Sequence, residues 1–351
     1  MFKRILAQAM ASTLLLPTLG PAQGVERITL AGREAAVYNL AGSLRVEGGS
    51  GTDVVVEVTR VGADAARLTL DQGQVHGRAA LRVRYPEDRI VYPRSGYDSR
   101  STFSVNDDGT FGEDRDRSRE HRRVEVRSSG DGMDAHADLR VIVPAGKTVF
   151  LRNGVGEATI DNVDGQIHVA VSASHIRASR VRGSLSLETG SGSVDVSDIT
   201  GDLTLDTGSG GAVLDGVRGG VLHMDVGSGS VRGRSIDVTE LVGDIGSGGV
   251  RLASLKTPKL HLETGSGGSE VELTTAPAEV SVEAGSGGVT LRIPASSGAT
   301  VDIETGSGAI DTDFDVKVSR IARRSLHGTF GDGRGRIRIE AGSGTVRLLK
   351  N

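Results

Sequence analysis

The chain has 351 residues, 51 of them Gly, with no Cys, no Trp and only 3% aromatic residues. Glycine stands at about twice its usual share of roughly 7%, and the lack of cysteine excludes disulfide scaffolds, thiolate zinc sites, iron–sulfur ligation, cysteine nucleophiles and a lipid-bearing lipoprotein cysteine. A formal net charge of −4 supplies no electrostatic footprint for nucleic acid.

Residues 1–22 read as a secretory signal peptide. Lys3 and Arg4 form a positive start, Ile5 to Leu16 is mostly apolar, Pro17 breaks the run, and Gly20-Pro21-Ala22 offers small residues for cleavage. The run is shorter than the roughly 20 residues that cross a bilayer, and nothing later is apolar enough. The mature chain is therefore expected to lack a transmembrane segment and to be exported, either periplasmic or extracellular and associated with the cell surface. Residues 23–93 carry alternating strands and are expected as a β-rich N-terminal cap, with Leu44-Arg45-Val46-Glu47 leading into a first GSG at Gly49. Residues 94–127 contain eight Arg and eight acidic residues with little apolar pattern, the mark of a flexible charged insertion.

Residues 128–351 are dominated by a repeat. The tripeptide GSG starts at Gly190, Gly208, Gly227, Gly246, Gly265, Gly285, Gly306 and Gly342, and steps of 18 to 21 residues separate the copies from Gly190 to Gly306. The last gap, 36 residues, hides a decayed unit or an insertion. Five residues before the tripeptide stand Leu185, Leu203, Leu222, Leu241 and Leu260, and three before it Leu187, Leu205, Met224 and Leu262, with a polar column between. That period of two is a strand with one buried face. After the tripeptide the alternation resumes, as at Val194-Val196 and Val250-Leu252, and several units turn again at a glycine such as Gly183 or Gly201. Two strands and two turns in 18 to 21 residues leave no room for a helical crossover. The predicted fold is all-β, a parallel β-solenoid with two short strands per coil; an antiparallel sandwich of hairpins is the structural rival. Glycine at the corners is expected to serve positive φ as well as space too tight for Cβ. The segment from Gly328 to Lys350 is expected to be the last coil, closing the core against solvent.

The most specific candidate site is a column two residues before each GSG: Glu188, Asp206, Asp225, Asp244, Glu263, Glu283, Glu304 and Glu340. Stacked about 4.8 Å apart, such carboxylates repel their neighbours by about 0.9 kcal/mol at the dielectric of water. One reading is docking of a divalent cation, Ca²⁺ being the ion weighed, or of a cationic partner. The preferred reading lets each carboxylate accept N–H groups from the adjacent Gly-Ser-Gly corner, which can form a small anion nest. Calcium-toxin nonapeptides fail on their ligand, because the needed Asp appears at Asp195 but not in most other coils. Asp311, Asp313 and Asp315 mimic an EF-hand start, but Val316 and Ala322 stand where Gly and Glu are required. His168, His223 and His261 share an outward column but skip coils, too far apart for one zinc ion, and read as solvent-facing.

No HExxH, GxSxG or Walker A string occurs, and no cofactor is implied. The competing class is a polysaccharide-active β-helix enzyme, to which Arg232 and Arg251 on successive outward positions could contribute. Against it, residues 151–351 hold only Phe314 and Phe330 as aromatics, no stacking platform for sugars. A purely structural envelope spacer is a third reading.

The segments VPAGKTVFLRNGVGEATIDNVDGQI from Val143, SLSLETGSGSVDVSDITGDLTLDTGSG from Ser184 and RIRIEAGSGTVRL from Arg336 make residues 140–351 similar to the bacterial putative-adhesin family of β-strand-repeat domains of unknown function, and more distantly to head-GIN adhesin-like domains. The resemblance implies an exported, non-catalytic repeat domain at the cell envelope, an adhesin-like scaffold for an envelope polymer or protein partner. It brings no catalytic residues with it.

Overall fold

The structure, a computed structural model, describes residues 24–95, 99–112 and 121–351. The signal-peptide expectation and part of the charged insertion lie outside the described residues. The described chain is all-β, with two 3₁₀ turns at Ala65–Arg67 and Pro93–Ser95 and no α-helix. Most strands join one very large, mostly parallel sheet, and four others form a small second sheet.

Parallel neighbours stack at the spacing of the repeat. Leu185 lies opposite Leu203, which lies opposite Leu222, and Val194 opposite Ala212, which lies opposite Val231. The same phase therefore recurs in each neighbour, and the alternating apolar residues of the repeat all point into one interior. Leu185, Leu203, Leu222, Leu241 and Leu260 are buried there, as are Leu187, Leu205, Met224 and Leu262. Each buried Leu contributes about 1.5–3 kcal/mol. The long strands Ile176–Thr189, Ala212–Val226 and Val231–Ile245 continue from one flank of the sheet to the other through a bend. At that bend Asn162, Arg180, Asp198, Gly216, Ser235 and Ser254 all have φ between 51° and 70°, a stack of left-handed residues in which only Gly216 is glycine.

The GSG corners do not need left-handed backbone. From Gly190 onward no glycine of the tripeptides has a positive φ; contact with the backbone of the neighbouring corner is what selects them. A Cβ on Gly210 would lie 1.7 Å from the Gly192 carbonyl oxygen, and one on Gly229 would lie 1.9 Å from that of Gly210. The expected reason for glycine thus holds for space and fails for φ at these corners, while Gly183 and Gly201, with φ of 105° and 136°, meet both conditions.

The chain order of the stack breaks at both ends. Glu34–Ala41 pairs in parallel with Lys147–Val155, and Leu44–Gly49 with Ala158–Asp161, so early residues sit in register with strands more than a hundred residues later. At the other end Gly335–Ala341 pairs on one side with Glu279–Ala284 and on the other with Ala299–Thr305. Val346–Lys350 is held likewise between Val289–Ile293 and Ile310–Thr312. The expectation that Gly328 to Lys350 closes the stack is therefore corrected: its strands Gly335–Ala341 and Val346–Lys350 lie one layer inside. Ala299–Thr305 lies outside them and takes Ser325–Phe330 of an antiparallel hairpin on its free side.

Within the stretch expected as a charged loop, Arg100–Asn106 and His121–Arg127 are paired antiparallel strands. With Arg89–Val91 and Met133–Asp134 they form the small sheet. Phe103 and Phe111 meet edge to face at 5.8 Å, and Phe111 meets Tyr38 at 6.1 Å, so aromatic packing concentrates here.

His136 is buried against Tyr92, ring centroids 4.9 Å apart, and neither ring nitrogen has a hydrogen-bond partner among the described residues. Burial holds its pKa below the ordinary value, against the pull of the Asp138 carboxylate. The unfolded histidine takes a proton near pH 6.5 and the folded one only at lower pH. The stability it contributes is therefore present above about 6.5 and is lost as pH falls from there through the folded value. We expect unfolding free energy from urea titrations to drop between pH 7 and pH 5, and to drop less in His136→Leu. Equal drops would show that this histidine does not carry the acid sensitivity.

Candidate functional site

The parallel register lines up the outward position two residues before each GSG. Glu188 pairs with Asp206, and the line continues through Asp225, Asp244, Glu263 and Glu283. Glu340 comes next and Glu304 last. All eight candidate carboxylates thus join one ladder, with the last two exchanged relative to their order in the sequence. Seven are exposed and Glu340 is half-buried.

Cations meet the ladder at some rungs. Arg152 stands 3.6 Å from Glu188, His261 3.1 Å from Glu263, and the Arg338 Nε donates to Glu340 at 2.8 Å. Asp225, Asp244 and Glu283 make no salt bridge among the described residues. The middle of the ladder is therefore a run of carboxylates with few counter-charges, at a strand spacing where like charges repel.

The corner N–H groups do not form the carboxylate nests that the sequence suggests. Ser209, Ser228 and Ser247 donate their backbone N–H to the carbonyls of Gly190, Gly208 and Gly227 at 2.9–3.0 Å. In two coils the final corner glycine donates to a buried threonine hydroxyl instead, Gly192 to Thr189 at 3.1 Å and Gly308 to Thr305 at 2.9 Å. Backbone carbonyls thus take the Ser N–H groups named here and threonine takes the third N–H in these two, while seven of the eight acidic side chains are exposed.

At its far end the ladder lines an open groove of about 750 Å³. Asp244, Glu263, Glu283, Glu340 and Glu304 line it together with Ala322, Arg324 and Ser325 of the hairpin.

The other sequence candidates separate. His168 is half-buried rather than freely solvent-facing: it stacks on Phe150 at 4.6 Å with rings 3° from parallel, and the Arg78 guanidinium covers Phe150 at 3.6 Å. Burial, helped by Arg78 and Arg152, pushes its pKa down. His223 is exposed. Asp313 accepts the Lys350 backbone N–H at 3.1 Å and Asp311 faces Arg347 at 3.8 Å, so both serve the strand pairing rather than a calcium loop. Arg232 and Arg251 are neighbours across coils, but Arg251 is taken by Glu270 at 2.7 Å. Close by, Arg234 binds Asp215 at 2.5 Å and holds that carboxyl below the usual range.

Sequence reading missed a buried polar cluster. Tyr85 donates to Asn39 Oδ1 at 2.8 Å, Asn39 Nδ2 donates to Asn153 Oδ1 at 3.0 Å and to the Ala137 carbonyl at 2.8 Å, and Asn153 Nδ2 donates to the Gly42 carbonyl at 2.8 Å. The available signal was two asparagines in the inward phase of otherwise apolar strands. No helix among the described residues is long and apolar enough to cross a membrane.

Comparison with known proteins places the repeat. A family model described as Toastrack DUF4097 matches residues 165–349. No curated protein matches the chain. Among solved structures it is similar, at 11% identity, to one described as a "putative cell adhesion protein" from Clostridium sporogenes, covering 93% of this chain and 100% of that one with a TM-score of 0.20. A likeness at that score carries no argument. The family match spans more than half of the 351 residues and takes in the coils that bear the acidic ladder, so the chain belongs to the Toastrack DUF4097 family.

Proposed function

We propose that this protein is a non-catalytic, exported binding module of the cell envelope, an adhesin-like scaffold whose acidic ladder docks a cationic partner. In this reading residues 1–22 direct export and residues 23–93 cap the N-terminal end of a parallel solenoid formed by residues 128–351, with two short strands per coil of 18–21 residues. The charged segment 94–127 flanks that cap. The protein resides in the periplasm or at the cell surface. The observation that carries the reading is the unbroken line of eight carboxylates, poorly neutralised in its middle and lining an open groove at one end. Such a line concentrates negative potential and draws cationic ligands. A non-catalytic role is supported by the direction of the carboxyl shifts. Glu47, Glu125 and Asp215 are all held down by arginines, whereas a general acid at neutral pH needs its pKa raised. In residues 151–351 the only aromatics, Phe314 and Phe330, are both buried.

The test is binding of a fluorescent oligolysine peptide, followed by anisotropy at low and high salt. Wild-type protein should bind, with affinity falling steeply as salt screens the ladder. The combined variant Asp225→Asn, Asp244→Asn, Glu263→Gln, Glu283→Gln should lose at least about tenfold, or roughly 1.4 kcal/mol. Equal binding by the two proteins would remove the ladder from the function.

A further inference from the structure

The hairpin that lines the groove also places a histidine on the last rung. His327, on Ser325–Phe330, is the cross-strand partner of Asp302 on Ala299–Thr305. Glu304 lies two residues further along the same strand, and side chains two apart share a face. One donor atom from each of Asp302, Glu304 and His327 can be chosen such that all lie within 4.8 Å of one another. The ring faces a carboxylate at both nitrogens. Nδ1 lies 2.7 Å from Asp302 Oδ1 and Nε2 lies 3.8 Å from Glu304 Oε1.

We propose that Asp302, Glu304 and His327 form a binding site for one divalent transition-metal ion of the zinc type. Adjacent donors around a tetrahedral ion with bonds of 2.0–2.1 Å stand about 3.3 Å apart. His327 gives one ring nitrogen to an ion, the three donor atoms already lie within 4.8 Å of one another, and both carboxylates are more than half exposed, with room to rotate onto an ion. The donor set decides the class of metal: an imidazole among carboxylates favours zinc-like ions over Ca²⁺ and Mg²⁺, which take oxygen alone. The surroundings favour any cation, because Glu340 and Glu283 continue the acidic line next to Glu304. Three protein donors leave a fourth position open toward the groove, available to water or to a donor from a docked partner. Bound metal would also fasten the hairpin to the outermost strand of the stack, since the ligands come from both.

The proposal concerns one rung and stands apart from docking along the ladder. It is tested by titrating metal-free, untagged full-length protein with Zn²⁺ in a calorimeter and by following thermal melting with and without Zn²⁺. Wild-type protein should take up one Zn²⁺ per chain and melt at a higher temperature. His327→Ala and Glu304→Gln should each weaken that binding by at least about tenfold and lose the thermal shift, while Asp206→Asn, far along the ladder, should leave both intact. All three changes are at surface positions, and melting without metal checks that each variant folds. Co²⁺ in place of Zn²⁺ should give visible absorption that His327→Ala abolishes. Absence of stoichiometric Zn²⁺ uptake by the wild type, or uptake by His327→Ala equal to it, would overturn the site. Oligolysine binding by His327→Ala, measured in parallel, should match the wild type, so failure here and failure of ladder docking give different patterns.

Discussion

Gly248→Ala should be among the most damaging single substitutions in the coils, costing about 3–5 kcal/mol in urea unfolding. The added Cβ would lie 1.7 Å from the Gly229 carbonyl oxygen, 2.4 Å from its carbon and 2.9 Å from the Ser230 nitrogen. All three are backbone atoms of the neighbouring coil, so no side chain can rotate away. Relief requires the coils to part, which stretches the bonds from Gly246 N–H to the Val226 carbonyl and from Ser247 N–H to the Gly227 carbonyl, both 2.9 Å. A gradient within one corner makes the test sharp. Gly249→Ala, whose Cβ would come no closer than 3.3 Å to the Gly268 carbonyl oxygen, should cost far less. Ser247→Ala, at an exposed side chain, should stay within about 0.5 kcal/mol of the wild type. Equal costs at Gly248 and Gly249 would mean that coil contact is not what keeps these corners glycine.

Asn39→Leu should cost a comparable amount, about 3–5 kcal/mol, for an electrostatic reason. Asn39 is fully buried, and its side chain is the hub that accepts from Tyr85 and donates to Asn153 and to the Ala41 and Ala137 carbonyls. An isobutyl group fills similar space yet strands several buried polar atoms at once, each worth about 1–3 kcal/mol when left unpaired. Tyr85→Phe removes only one hydroxyl and should cost about 1–2 kcal/mol. Burial raises the Tyr85 pKa, so the phenol stays a donor throughout the working range. Because the residues share one network, the Asn39→Leu, Tyr85→Phe double variant should lose less than the two single losses added together. Strict additivity would show that the hydroxyl and the amide act independently.

What was legible in the sequence follows from what parallel stacking preserves. A strand laid over its equivalent keeps its phase, so apolar columns such as Leu203, Leu222 and Leu241 become an interior and the carboxylates two before each GSG become a line. Reading those columns needed only the alternation of side chains along a strand. Features that depend on which strand lies beside which were not legible. The 36-residue gap before Gly342 could not reveal that its strands enter between two earlier ones, because every coil offers nearly the same edge. Glu34–Ala41 gave no sign that its partner begins at Lys147. The left-handed stack at Arg180, Asp198, Ser235 and Ser254 carries no single residue type, since tertiary pairing imposes the bend on whatever stands there. Asp302 and His327 escaped notice for the same reason: they are 25 positions apart in sequence and face each other only through the hairpin, which interrupts the repeat. The corner glycines were recognised, but the argument from φ missed that the neighbour's carbonyl, not the local torsion, excludes a side chain.

The exchanged layers at the end of the stack set the order in which this protein can be completed. In most repeat arrays each new unit docks on the one before it, so assembly can follow synthesis from the first unit to the last. Here Ala299–Thr312 leaves the ribosome before Gly335–Lys350 but cannot reach its final neighbours until those later residues exist. Meanwhile the edge at Glu279–Ala284 is open to a near-equivalent strand of the wrong identity. Ile303 and Ile339 match closely enough to compete for the place opposite Val282. The native arrangement therefore needs Gly335–Lys350 to take the edge before or together with the docking of Ala299–Thr312, and the hairpin covers the flank of the outer strand that would otherwise stay unpaired.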